Sequence, residues 1–122
     1  MRRVLLMALL GAVLSGCGRD SEDGLTTINA EDRELGKIKS VVIRGGCFGC
    51  HNVEEHRFGP SWRAVSERYK DDPEAVANLT ESIQYGSGGK WSDVVGNNVM
   101  PPNEKRVNGS ETKQVIEYIL SL

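Results

Sequence analysis

Apolar residues recur at helical intervals in several stretches of this chain, and no long run alternates in the manner of a sheet strand. Over 31–45, Leu35, Ile38 and Val42 share one helical face, with Val41 beside them. Glu31, Asp32 and Glu34 suit the positive amino-terminal end of such a helix, and Gly45 and Gly46 suit its stop. The β-branched run Val41–Val42–Ile43 keeps a strand open at this point. A short helix is expected from Ser61 to about Lys70. Asp72 as cap and Pro73 as first helical residue then predict another, ending near Tyr85. Its apolar stripe reads Ala75, Val76, Leu79 and Ile83. A glycine-rich break, "GSGGKW", and a proline-bearing loop, "NNVMPPN", follow. The last segment predicts a helix over 110–121, with Ser110 as cap, Glu111 in the first turn, and Val115, Ile116, Ile119, Leu120 and Leu122 on a broad apolar face. The elements predict an all-α chain: helix, cysteine-bearing motif, short helices, loop, helix.

The first residues carry a different pattern. Arg2 and Arg3 precede an apolar run from Val4 to Leu14, which is 11 residues long. A membrane-spanning helix needs roughly 20. The run reads as a secretory signal peptide over residues 1–16. "LSGC", ending at Cys17, resembles the bacterial lipoprotein box, which implies cleavage before Cys17 and a lipid on its thiol. Gly18, rather than Asp, follows that cysteine; in a Gram-negative host this implies outer-membrane delivery. Residues 17–30 read as a lipidated flexible tether, and residues 31–122 as the folded domain. Thirteen tether residues, 18–30, reach about 43 Å when extended.

Charge narrows the partners. The chain has 15 Lys and Arg against 17 Asp and Glu. Losing Arg2 and Arg3 with the signal leaves 13 bases against 17 acids, a balance of −4. No basic run marks a nucleic-acid surface.

The candidate chemistry lies in "GGCFGCHN". Three cysteines, Cys17, Cys47 and Cys50, do not make a plain disulfide framework. Zinc would have to draw on Cys47, Cys50, His51 and His56, but Cys50 and His51 are adjacent and no second ligand pair follows. A reactive dithiol would be expected at a helix start in a βαβ setting, whereas here helical sequence precedes the pair. The string "CFGCH" also has the form of a c-type haem attachment site, in which two thiols join the porphyrin vinyl groups and the adjacent histidine reaches the iron. This reading uses every part of the motif. An export signal agrees with it, because such attachment occurs outside the bacterial cytoplasm. For a sixth ligand, Met100 is the only methionine after the signal, and it sits in the polar loop rather than on an apolar stripe. Core packing is the alternative role for a methionine.

Several features together resemble the small bacterial class I cytochromes c, of the c551/c552 kind, over about residues 31–122. They are "CFGCH", Gly59–Pro60, "GSGGKW", "MPPN" and the apolar carboxy-terminal helix, in that order. The resemblance implies an all-α fold of short helices around one covalent haem (heme c), with the first and last helices crossing. It implies thioethers at Cys47 and Cys50, His51 as proximal ligand and Met100 as distal ligand. Pro60 would present its carbonyl to the ring of His51, Trp91 would meet a haem propionate, and Gly86, Gly88 and Gly89 would let the chain turn close to the cofactor. At the helix crossing the family often has a small residue and an aromatic; Lys39 and Ile43 are the positions matched here, with Tyr118 facing them. His56 takes no ligand role and is expected at the surface or near the haem edge.

With both axial positions filled, no site is left for a substrate. The expected function is a one-electron carrier rather than an enzyme. Its partners would be a redox donor and acceptor, such as a quinol-oxidising complex and a terminal oxidase or reductase. Lipid on Cys17 would anchor it to a bacterial membrane, facing the periplasm. A haem enzyme or gas- and peroxide-binding module with a displaceable methionine is the alternative, as is a fixed haem subunit of a larger complex.

Overall fold

The computed structural model describes residues 29–122; the signal peptide read over 1–16, Cys17 and the tether up to residue 28 lie outside the described residues. The first helix, α1, runs Ala30–Gly45. Its cap is Asn29, whose side chain accepts the amide of Asp32 at 2.7 Å. Gly46 ends it in the left-handed conformation, φ 69°, and returns its N–H to the last carbonyls of the helix. The Val41–Ile43 run is therefore helical; burial of Val41 and Val42 against the rest of the core overrides their β preference.

A single 3-10 turn, Cys47–Gly49, follows at once. Next come α2, Trp62–Tyr69, capped by Ser61; α3, Ala75–Tyr85; α4, a single turn at Ser92–Val95; and α5, Gly109–Leu120. Among the described residues, no helix is long and apolar enough to cross a membrane.

Three details depart from the sequence pattern. Asp72 accepts the amide of Glu74 and the side chain of Asn78, so it organises a turn that precedes α3, and Pro73 lies in that turn rather than in the helix. Val76 is exposed and does not join the stripe of Ala75, Leu79 and Ile83. The cap of α5 is Asn108, not Ser110. Asn108 accepts the amide of Glu111 on its side chain and donates its own N–H to the Glu111 carboxylate, a reciprocal capping box that Ser110, two residues further on, is not placed to make. α4 has no periodic signal because a single turn is too short to show one.

α5 is the shared wall of the structure. It packs on α1, α2 and α3. Ile38, Val41 and Val42 of α1, Trp62 and Val65 of α2, Leu79 of α3, and Val115, Ile116, Tyr118 and Ile119 of α5 form one apolar core with Trp91 and Val107. Lys39 and Ile43 are not the crossing positions: Lys39 is exposed and Ile43 is 63% exposed, because the buried face of α1 runs through Ile38, Val41, Val42 and Gly45. Tyr118 is buried, with its ring edge on Trp62 at 5.6 Å between centroids. At the close approach, a Cβ on Gly45 would lie 2.9 Å from Val107 Cγ2 and 3.1 Å from Cys47 Sγ. Polar ties reinforce the same contact. Arg44 donates Nε to the Arg106 carbonyl at 3.1 Å and pairs with the Glu111 carboxylate. Gln84 of α3 donates to the Val107 carbonyl and to buried Thr112 of α5.

Two predictions follow from this joint. Gly45→Ala is expected to lower stability by about 1–3 kcal/mol, the usual cost of overpacking, measured by urea unfolding. The Asn108 N–H and the Arg44 guanidinium together hold the Glu111 carboxyl below its ordinary range. Its stabilising contribution is therefore present above the unfolded-state pKa and is lost as pH falls through the folded-state value. Glu111→Gln should be less stable than the parent near neutral pH, with the difference shrinking on acidification through the carboxylate range.

Candidate functional site

The left-handed turn at Gly46 and the 3-10 turn after it throw Cys47, Cys50 and His51 off the end of α1. The amides of Cys50 and His51 both return to the Cys47 carbonyl, at 3.1 and 2.9 Å. The two thiols are unpaired, Cys47 half-buried and Cys50 exposed. Burial pushes the Cys47 thiol up from its usual pKa. No third His, Cys, Asp or Glu joins them in a metal-holding group among the described residues.

His51 is buried, and its Nδ1 lies 2.8 Å from the Pro60 carbonyl oxygen. A carbonyl can only accept, so Nδ1 carries the proton in this contact, and Nε2 of the neutral ring keeps a lone pair free. Burial draws the His51 pKa below its ordinary value, and the Pro60 contact opposes part of that shift. The 51–60 loop is closed by Gly59 N–H on the Cys50 carbonyl at 2.8 Å. A Cβ on Gly59 would lie 2.5 Å from His51 Cε1, so only glycine lets the loop lie against the ring.

Met100 comes to the same place from the other end of the chain. Residues 97–103 form no regular element. Ser87 donates its N–H to the Met100 carbonyl at 3.1 Å, and its hydroxyl oxygen accepts the Met100 N–H at 3.0 Å. Gly86, at φ 97°, passes so close that a Cβ would stand 2.8 Å from the Met100 oxygen. Trp91 is 8% exposed, and the Arg68 guanidinium stacks 3.6 Å above its ring centroid. Arg68 is held there by Asp93 and the Lys90 carbonyl.

Cys47, Cys50, His51, Pro60, Trp91 and Met100 all line one mainly apolar cleft of about 260 Å³. Leu79, Val115 and Ile119 carry the protein core up to its wall. Phe58 and Val99 are exposed and also line it. His56 does not line it; it is exposed, and its Nδ1 accepts the Ser61 amide at 3.0 Å. Cys17 lies outside the described residues. Sequence reasoning passed over Gly59 and Ser87. Gly59 was visible only as the partner of Pro60, and nothing in a lone serine between glycines marks the two bonds it makes.

The residues suit a c-type haem. Two free thiols sit three apart beside a histidine of fixed tautomer, a soft thioether stands in the same cleft, and the lining is apolar enough to hold a macrocycle.

Comparison with known proteins gives the same answer. The family model "Cytochrome c" matches residues 36–122. Cytochrome c-552 of Hydrogenobacter thermophilus is 32% identical over 99 residues, covering 81% of this chain and 89% of that protein. Cytochrome c-551 of Pseudomonas denitrificans is 36% identical over 76 residues, 62% of this chain and 85% of that one. The crystal structure of Nitrosomonas europaea cytochrome c552 superposes with a TM-score of 0.61 at 31% identity, covering 69% of this chain and 98% of its own. With its helix order and its cysteine-lined cleft, the chain belongs to the cytochrome c family and has the all-α class I fold of its small bacterial electron carriers, which are not enzymes.

Proposed function

We propose that this protein carries single electrons through one heme c bonded to Cys47 and Cys50, with His51 as proximal and Met100 as distal iron ligand. The observation that carries the ligand assignment is the convergence of both thiols, the oriented imidazole and Met100 on one cleft. When bound, the haem supplies the iron that alternates between ferric and ferrous states. The chain supplies everything else. The Pro60 carbonyl orients His51 and makes it a better donor. The Met100 thioether raises the potential relative to a second histidine. Trp91, on the cleft wall, would offer its indole N–H to a propionate, and the apolar walls would exclude water. With His51 and Met100 both held to a bound haem, no coordination place would be left for substrate, and such a ligand set would favour outer-sphere transfer.

The partners are a redox donor and acceptor of a bacterial respiratory chain. Exposed Gly49, Pro101 and Pro102, with Phe58 and Val99 at the cleft, supply a small apolar docking face, and redox encounters use small, short-lived interfaces. The family is extracytoplasmic, in keeping with the export signal. We further propose that lipid on Cys17 anchors the protein to the membrane and that residues 17–30 tether the domain near membrane-bound donors and acceptors, such as a quinol-oxidising complex and a terminal oxidase or reductase. Two acyl signals give stable anchoring where one gives marginal binding.

Protein matured in a haem-attaching bacterial host tests the ligand set. The expected result is a covalent haem with a weak far-red ferric band, lost in Met100→Ala, and little binding of carbon monoxide to the reduced parent. Ready carbon monoxide binding by the parent would instead support a ligand-binding haem with a displaceable methionine. For the proximal side, Gly59→Ala should drive the His51 ring off the Pro60 carbonyl. Its Nδ1 proton should lose protection from exchange by NMR, and stability should fall by about 1–3 kcal/mol.

A further inference from the structure

The segment that carries Met100 is pinned to the carboxy-terminal end of α3 at two points. On one side, the Asn103 N–H donates to the Ile83 and Gln84 carbonyls at 3.0 and 3.2 Å, and the Glu104 N–H to the Gln84 carbonyl at 3.3 Å. On the other side stands Ser87 alone. Between the two lie Pro101 and Pro102, which have no N–H to offer. Among the described residues, Ser87 is the partner of both backbone polar groups of Met100: its amide holds the carbonyl and its hydroxyl holds the N–H. The residues just before Met100, Asn98 and Val99, are exposed and give it no such support. Among the described residues, the hydroxyl is therefore the only side-chain group that hydrogen-bonds the Met100 backbone, and Gly86 passes close to the Met100 oxygen beside it.

We propose that Ser87 is a positioning residue for the distal ligand: its hydroxyl holds the Met100 backbone so that the thioether stays on the iron against competing ligands. This rests on the reading of Met100 as that ligand. A thioether is a weak donor, and a ligand on an unsupported loop must pay the entropy of ordering its own backbone each time it binds. A backbone already fixed from Ser87 has paid it in advance. Removing the hydroxyl leaves the Ser87 amide on the Met100 carbonyl and frees the Met100 N–H to turn to water. The change therefore acts on ligand retention rather than on the core.

Imidazole titration of the ferric holoprotein, full chain and haem-loaded, tests this. Ser87→Ala should bind imidazole about five- to tenfold more tightly than the parent, the weight of one lost hydrogen bond, with a weakened far-red band. Ser87→Thr, which keeps the hydroxyl, should bind it as the parent does. Asn108→Ala removes the cap of α5, away from Met100, and serves as the stability control; it should unfold more easily yet keep the parent's imidazole affinity. Parental imidazole affinity in Ser87→Ala, or an equal rise in Asn108→Ala, would overturn the role of Ser87 while leaving Met100 as ligand. Absence of the far-red band from the parent itself would overturn the ligand reading and this inference with it.

Discussion

The close packing of α5 against both α1 and α3 is the constraint on which the site depends. The attachment motif hangs from the end of α1, and the Met100 segment is pinned to the end of α3. Neither segment touches the other through a regular element. Their separation across the cleft is set by the shared wall between them. Gly45 against Val107, Arg44 on Arg106 and Glu111, and Gln84 on Val107 and Thr112 all lie at this junction. All of these contacts use the few residues just before α5 or its first turn. A metal site that must keep its ligands through a change of oxidation state needs such a frame, because interiors packed at crystal-like density resist small displacements.

Local polar geometry then refines what the frame places roughly. His51 owes its tautomer to the Pro60 carbonyl, and its freedom from a steric block to Gly59. Met100 owes its backbone position to Ser87 and Gly86. The two sides use the same device: a glycine that permits close approach beside a residue that supplies the hydrogen bond. A one-electron carrier gains from this, since a site that does not rearrange loses little energy to reorganisation when the charge on the metal changes.

Much of this was legible in the residues. The helical spacing of Leu35, Ile38 and Val42 marked α1, and the broad face of Val115, Ile116 and Ile119 marked α5, because burial on one side leaves a periodic trace. "CFGCH" proposes both thiols and the imidazole at once, since covalent attachment of a c-type haem would dictate their spacing. Met100 is a candidate ligand by elimination, and it lines the same cleft. What was not legible depended on contacts across the fold. The crossing face of α1 lies one residue from the positions matched by family likeness, and a one-residue shift in a helix turns a side chain by about 100°. Asn108 and Ser110 are equally good caps by residue type; the exception is local, since Glu111 three residues after Asn108 marks the capping box that decides between them. Ser87 makes its two bonds to a residue thirteen positions away, and no local pattern announces that.

We propose that His51 and Met100 together hold the iron in both oxidation states. X-ray absorption at the iron edge of the matured protein, recorded oxidised and reduced, tests it most directly. The account predicts one sulfur neighbour in each state, with nearly unchanged distances and five nitrogen neighbours. A first shell without sulfur, or one that loses a neighbour on reduction, would contradict it.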